Sequence, residues 1–407
     1  MLGSIRKQIS DHMNTRLIDD FFEKPNAVTM DALISRFRGD KVSDEDVGYL
    51  ATGLGRRGEV LEHTPEAVVA DVPSTGGPSS LSTLLSPLEL AAGGAIVPKL
   101  GVPGRPAGGI DVLACIPGFK VSLNAFELRR CLDNCGYVHF LAGERFAPLD
   151  AMLFSHRQKV GAQNVPSLGI ASLLSKKIAV GVNRVCLDVR VASFTNFGEW
   201  DQARENARSF VRVAARLGIR ATAFLTDVSV PYQGFIGRGE ALVALNEIFS
   251  GEATKDLSDH AELCKQMAQS CVDSRLASPL SVLVAKFQNH LEQQGSSWDN
   301  FQRKLLELSS QPRTVIRAAS DGFLSVNLNT IRRILSEKQQ RNIASKETFS
   351  DPCGITLLIP CGQPVKAGDA VAEVRATNAL ESTVDELRIG FSQLETPIKR
   401  RTTEQIQ

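Results

Sequence analysis

The chain has no appreciable excess of either charge: 46 Lys+Arg stand against 45 Asp+Glu, a formal net charge of +1. It therefore has no polybasic field for nucleic acid or an anionic membrane surface. It has no apolar run of about 18 residues, so no segment reads as a membrane span. The opening residues, Met1 to Gln8, lack the apolar stretch of an export signal. The 8 cysteines form no Cys-x-x-Cys knuckle and the 6 histidines no His-x-x-x-His pair. Cys131 and Cys135 lie four apart on an expected helix, but a metal needs more ligands than two. Reduced thiols, a cytoplasmic location and no metal site are the resulting expectations.

What is present is an alternating texture. With 407 residues, two or three domains are expected. Residues 1–62 read as helical. Thr29 or Asp31 is placed to cap a stretch Ala32–Phe37. Ser43 with Asp44, Glu45 and Asp46 opens a second helix, acids first, as the helix dipole favours. Val47, Leu50, Ala51 and Leu54 then share its face. Val68–Val72 is a short apolar strand running into the turn Pro73–Pro78 and a helix Leu81–Ala92, the start of an α/β unit. A second glycine-rich loop spans Gly101–Gly109, and Tyr137–Leu141 is a strand. Residues 148–180 are helical again. Val185–Val191, the helix Ala203–Leu217 and the strand Thr222–Thr226 extend a largely parallel sheet. Asp188, mid-strand in an apolar run, is expected buried and paired, and Asp227 is a strand-end carboxylate. Residues 250–310 read as polar helices. After 315 the pattern turns to β, at Gly322–Val326, Gly354–Ile359 and Val371–Val374. Gly362–Val371 has the turn chemistry of a lipoyl- or biotinyl-like sandwich without the Met-Lys of a carrier, so it reads as structural. The last dozen residues read as frayed.

Two constellations carry chemistry. Ser172 and Lys176 are one helical turn apart on the same face, with Arg157 upstream. A pyrimidine ring offers two carbonyl oxygens and one N–H; a guanidinium, an ammonium and a hydroxyl match them. By spacing alone, ordinary solvated helix charges are the favoured reading. Ser74-Thr75-Gly76-Gly77 suits a phosphate, because glycines admit an anion to the backbone and the following helix offers free N–H groups. A plain strand-to-helix turn is the alternative.

Taken in order, several separated stretches resemble the thymidine and pyrimidine-nucleoside phosphorylase family. They are Phe37–Gly39 with Val42–Asp46 and Gly58–Val60, Ser74–Gly77, Ile116–Phe119, Ala147–Asp150, Ala171–Lys177, Leu187–Val191, Leu225–Asp227, and Gly362 with Val365–Gly368. The resemblance runs from about Arg38 to Ala376. It implies an α/β fold with a discontinuous all-α domain, of the nucleoside phosphorylase and phosphoribosyltransferase kind, plus a C-terminal β-rich, hammerhead-like module. The expected boundaries are 1–62 and 148–180 for the α domain on the base side, 63–147 and 181–315 for the α/β domain on the phosphate side, and 316–407 for the C-terminal α+β module. The implied activity is phosphorolysis of a pyrimidine nucleoside to free base and (deoxy)ribose 1-phosphate, with inorganic phosphate as co-substrate, no other cofactor, and closure of the two sides over the ligands. A homodimer through the α domain is also implied, although the helices before Phe37 are shortened.

The same resemblance implies that Arg157, Ser172 and Lys176 bind the base, and that Ser74, with Thr75, Gly76, Gly77 and Thr83, binds phosphate. Cationic donors on the base oxygens would stabilise the negative charge of the leaving base. The departures are as informative. Val72 and Pro73 stand where the family has Lys-His, Ser80 where it has an acid, and Gly101 to Ile110 lack its third phosphate hydroxyl, leaving Arg105 as a substitute charge. Arg190–Phe194 replaces a glycine-rich loop. Glu240 is one position out of register with a glutamate beside the family's monovalent cation. The catalytic acid is unassigned. His156 is the nearest titratable group, but neighbours on a helix point about 100° apart, so it and Arg157 are not expected to face one ligand. The alternatives are an inactive nucleoside-binding homologue, or a hydrolase or transferase that does not use phosphate.

Overall fold

The computed structural model describes residues 15–39, 42–142, 144–193, 195, 197–341, 349–378 and 380–407. The first helix bundle forms from capping and amphipathic spacing. Residues 15–23 are helical, followed by Ala27–Phe37 and Asp44–Arg56. The helix expected to begin at Ala32 starts five residues earlier, because Asn26 caps it and Thr29 closes the capping box. Ser43 caps the next helix with Asp46 at the third position, as its sequence indicates. Leu33, Phe37, Leu50 and Leu54 from these helices, with Leu168, Ala171 and Leu174 from the helix Pro166–Ala179, form one buried cluster.

Beside this layer lies a twisted sheet. Its strands are β1 (Ala70–Asp71), β2 (Val97–Gly101), β3 (Tyr137–Leu141), β4 (Arg184–Val191) and β5 (Arg220–Asp227). β1 pairs with β4, β4 with β5, and β2 with β3, all parallel. The bridge Val69↔Ile96 joins the two parts. Each parallel step is made by a helix packed on the sheet, as right-handed crossovers require. Trp200–Arg216 buries Ala203, Ala207, Phe210, Val213 and Ala214 on one face. Ser82–Ala92, Lys255–Gln269 and Leu280–Gln293 build the core of the opposite face. β2 is an unexpected strand. Pro98 and Lys99 disguise it, yet all five of its residues are buried.

The C-terminal part holds two small sheets. β7 (Arg313–Arg317), β9 (Cys353–Leu357) and β11 (Ala370–Ala376) form one with β6 (Phe235–Ile236), a strand lent from before the helix Arg238–Ser250. β8 (Gly322–Val326), β10 (Pro364–Val365) and β12 (Phe391–Leu394) form the other. Two helices accompany them, Leu328–Arg341 and Leu380–Arg388, whose positions the sequence reading did not give.

The end of the chain corrects the expectation of fraying. Residues 404–406, placed above with the C-terminal module, form β13 (Glu404–Ile406) and return to edge the main sheet antiparallel to β5. Glu404 accepts from Arg204 Nε and Nη2 at 2.8 and 2.9 Å and from Trp200 Nε1 at 3.1 Å. Ile406 is 8% exposed and joins the main core. Ile406→Ala is therefore expected to cost about 2 kcal/mol, seen as a lower urea midpoint with an unchanged slope. An unaltered midpoint would mean that this strand adds nothing to the fold.

Candidate active site

The sheet and the helical layer enclose a cleft of about 500 Å³. Ser74, Thr75, Gly76, Gly77 and Thr83 border it on the sheet side, and Arg157, Ser172 and Lys176 on the helical side. Residues far apart in the chain, from Ser74 to Lys176, are thus gathered at the C-terminal ends of β1 and β2. That is where parallel sheets present ligand sites.

The turn after β1 is fixed by β4. Asp188 N–H donates to the Pro73 carbonyl at 2.9 Å, and Thr75 N–H donates to the Asp188 carbonyl at 3.0 Å. Thr75 Oγ1 accepts from the Arg190 N–H at 2.8 Å. Gly76 and Gly77 have φ of 109° and 142°, conformations that strain any side chain, and a Cβ on either would meet nothing within 4 Å. Glycine is needed here for backbone geometry, and the space above the turn is open. Behind it lies a closed polar network. Asp188 is buried as expected and accepts from Arg190 Nε (2.7 Å), Ser82 Oγ (2.6 Å) and Thr226 Oγ1 (3.0 Å). Ser80, standing where an acid was expected, accepts from Arg190 Nη2. Phe194, at the end of the altered loop, lies outside the described residues.

The helical wall is more self-contained than its sequence suggests. Arg157 is 2% exposed. Its Nε, Nη1 and Nη2 donate to the carbonyls of Ala162 (3.1 Å), Leu168 (3.2 Å) and Gln163 (2.8 Å), tying the helix Pro148–Lys159 to the start of Pro166–Ala179. Burial pushes its pKa down, while Asp150 raises it. Three of the five guanidinium N–H groups are used in this way, which leaves two. Lys176 donates to Asp150 Oδ2, to Ser172 Oγ at 2.9 Å and to the Ser172 carbonyl at 3.0 Å. Asp150 Oδ1 is buried in the same wall and has no hydrogen-bond partner among the described residues. Just before it, Ala147 adopts φ 50°, the single positive φ among described non-glycine residues, and starts the helix that carries Asp150 and Arg157. Such a conformation is uncommon outside glycine and persists where surroundings hold it.

Other expected residues fall elsewhere. His156 Nε2 faces Asp31 at 2.7 Å, on the side of the helix Ala27–Phe37, and does not line the cleft. Asp227 bonds Ser229 and the Arg401 N–H, a strand-end role. Glu240 is held by Arg375 Nε and Nη2 at 2.7 and 2.9 Å, with Asp351 on the same guanidinium, so both its oxygens are committed. It does not fit as a ligand for a monovalent cation. Half-buried Arg105 does line the cleft, and its guanidinium makes no hydrogen bond or ion pair with a described residue. Asp111 holds its loop, accepting from Gly104 N–H (2.8 Å), Arg105 N–H (3.2 Å) and Arg238 Nη2 (2.9 Å).

Three residues at the cleft floor were missed. Asp71 in β1 is fully buried. Lys99 from β2 reaches it at 2.5 Å, and Lys177 from the helix Pro166–Ala179 takes its other oxygen. The signal was available: Asp71 and Lys99 each interrupt a buried strand, as Asp188 does, and a charge in such a place must be paired.

Relatives can now be compared. A human protein named thymidine phosphorylase is 32% identical over 224 residues, 53% of this chain and 45% of that protein. One of the same name from Mycobacterium tuberculosis is 27% identical over 321 residues, 72% of this chain and 73% of its own. A pyrimidine-nucleoside phosphorylase from Staphylococcus epidermidis is 25% identical over 358 residues, 84% of this chain and 82% of its own. The chain is a homologue of the thymidine and pyrimidine-nucleoside phosphorylases. It spans less than half the length of the human relative. No family model matches it. Its fold resembles the crystal structure of anthranilate phosphoribosyltransferase from Thermus thermophilus (TM-score 0.51, 16% identity, 75% of this chain and 96% of that one). This phosphorylase homologue therefore has the α/β architecture its sequence indicated. No helix among the described residues is long and apolar enough to cross a membrane.

The Asp71 pairing sets an acid limit. Burial alone would raise its pKa, but the two ammonium groups hold it well below the usual carboxylate range. Its folded pKa lies below its unfolded one, so its stabilisation is complete above about pH 4 and is lost as pH falls from there toward the folded value. Asp71→Asn leaves two buried ammonium groups without their counter-charge. It is expected to cost about 3–5 kcal/mol at pH 7 and to flatten the acid limb of a stability–pH curve. A variant as stable as the parent at pH 7 would contradict this.

Proposed function

We propose that this chain is a pentosyltransferase that cleaves a pyrimidine nucleoside with phosphate, handling the phosphate differently from its relatives. The observation that carries the reading is the meeting of Arg157, Ser172 and Lys176 with the Ser74–Gly77 turn and Thr83 on one cleft. In this reading the ring lies against the helical wall. The two free N–H groups of Arg157 and the Ser172 hydroxyl with Lys176 face its carbonyl oxygens. The unpartnered Asp150 Oδ1 accepts from the ring N–H. A phosphate oxygen, cradled by the turn and Thr83, bonds to the anomeric carbon as the glycosidic bond breaks. The bonding pair leaves with the base, which takes up the proton the phosphate carried. The donors on the base oxygens stabilise that departing charge, and their bonds to the chain hold them in place beforehand. Arg105, half-buried and unpaired among described residues, adds positive charge at the mouth. Nucleoside and phosphate are the partners proposed, in a cytoplasmic enzyme that is a homodimer.

A second reading is favoured by Val72 and Pro73, which put neither a cation nor a proton donor at the turn: nucleoside binding without turnover, or cleavage by water. Base release from thymidine, uridine and deoxyuridine, with and without phosphate, separates the readings. The first expects release that rises with phosphate, with cytidine, whose ring N3 accepts instead of donating, at least about ten-fold poorer through one mismatched hydrogen bond. Release indifferent to phosphate supports hydrolysis. Binding with no release supports nucleoside binding without turnover, and neither binding nor release removes all three.

A further inference from the structure

The turn from Val72 to Gly77 contains no cationic side chain, yet surplus positive charge is buried at its foot. The two oxygens of Asp71 are divided between Lys99 and Lys177. Lys99 is 3% exposed and Lys177 2%. Two ammonium groups on one carboxylate leave one positive charge unbalanced, and burial accordingly lowers the pKa of Lys99, which Asp71 raises and Lys177 lowers again. The other carboxylate lining the cleft, Asp150, is already paired with Lys176. Lys99 Nζ also donates to the carbonyl of Val72, the residue that opens the turn, at 2.8 Å. Its register partner across the parallel pair β2 and β3 is His139, which also lines the cleft. Burial, with Lys99 nearby, holds that imidazole far below its ordinary pKa, so it adds no second charge. A buried charge without a counterpart is costly in a low-dielectric interior. Asp71, Lys99 and Lys177 all line the cleft that the turn borders, so a ligand anion can balance it.

We infer that Lys99 is the residue that neutralises the bound phosphate, standing on β2 in place of a cation on the turn. An incoming oxyanion meets the open space over Gly76 and Gly77 on one side and the Lys99 ammonium on the other, and Asp71 keeps Lys177. The existence of an anion subsite follows from the charges. Its naming as phosphate rests on the proposed function.

Binding of inorganic phosphate and of uridine, each measured calorimetrically on the full chain, tests this with Lys99→Met and Lys99→Arg. Lys99→Met keeps an unbranched side chain, one atom shorter, and leaves Asp71 balanced by Lys177. It is expected to weaken phosphate binding about ten-fold or more, the loss of one charge-assisted hydrogen bond, with uridine affinity close to the parent. Lys99→Arg is expected to stay within about three-fold of the parent, since the charge is kept. If turnover is present, the phosphate KM rises in Lys99→Met while kcat changes little. Should Lys99→Met not fold, Lys99→Gln carries the same expectation. Parent-like phosphate affinity in the neutral variants overturns the inference, as does a parent protein that binds no phosphate. Phosphate binding that depends on Lys99, without cleavage of any nucleoside, sinks the proposed function and leaves the anion subsite standing. Cleavage that depends on phosphate but not on Lys99 does the reverse.

Discussion

Two ammonium groups from different layers converge on one carboxylate at the floor of the cleft. Asp71 belongs to the sheet through β1, Lys99 to the sheet through β2, and Lys177 to the helical layer. The ion pair with Lys177 therefore joins the two layers where the cleft is deepest. In that dry surrounding the attraction is much stronger than at a surface, and so is the penalty for removing a partner. Apolar packing would let the layers slide by small amounts. The buried ionic contact ties the two layers together at the floor of the cleft.

The two walls above that floor are built on opposite terms. The helical wall is closed on itself. Arg157 is tied to three carbonyls and Lys176 has three acceptors of its own, so these donors are oriented by the chain itself. Fixed dipoles of this kind need little reorganisation when charge develops on a ligand. The sheet wall is open. Gly76 and Gly77 expose backbone with nothing above it, and the rigidity comes from beneath, through Asp188, Arg190, Ser82 and Thr226. Specific recognition of a flat ring suits the first wall, and reception of a small anion suits the second.

Charge in the rest of the molecule obeys the same rule. Arg375 gathers Glu240 and Asp351 where the helix Arg238–Ser250 meets the C-terminal sheets, and Arg238 secures Asp111 under the second glycine loop. Each joins elements far apart in sequence. β6 and β13 do likewise with backbone hydrogen bonds, one strand given to the C-terminal part and one returned from it. The module is interlocked with the sheet at both ends.

Local chemistry was enough to read much of this from the chain. Ser43 with Asp46 announces a helix, Val185–Val191 announces a buried strand, and Ser74–Gly77 announces a turn open to an anion, because caps, runs and glycines act over a few residues. The order of these signals also carried the fold. What the sequence alone did not determine depends on partners distant in the chain. Whether Lys99 is a surface charge or a buried one turns on β2 lying between β1 and β3. Whether residues 404–406 fray turns on an unfilled edge beside β5. Whether Arg157 and Lys176 are free donors or already bonded turns on the carbonyls and the carboxylate that the two helices bring beside them. Spacing records which side chains share a face. Only the packed chain decides what that face meets, because burial and pairing energies arise between segments and not within them.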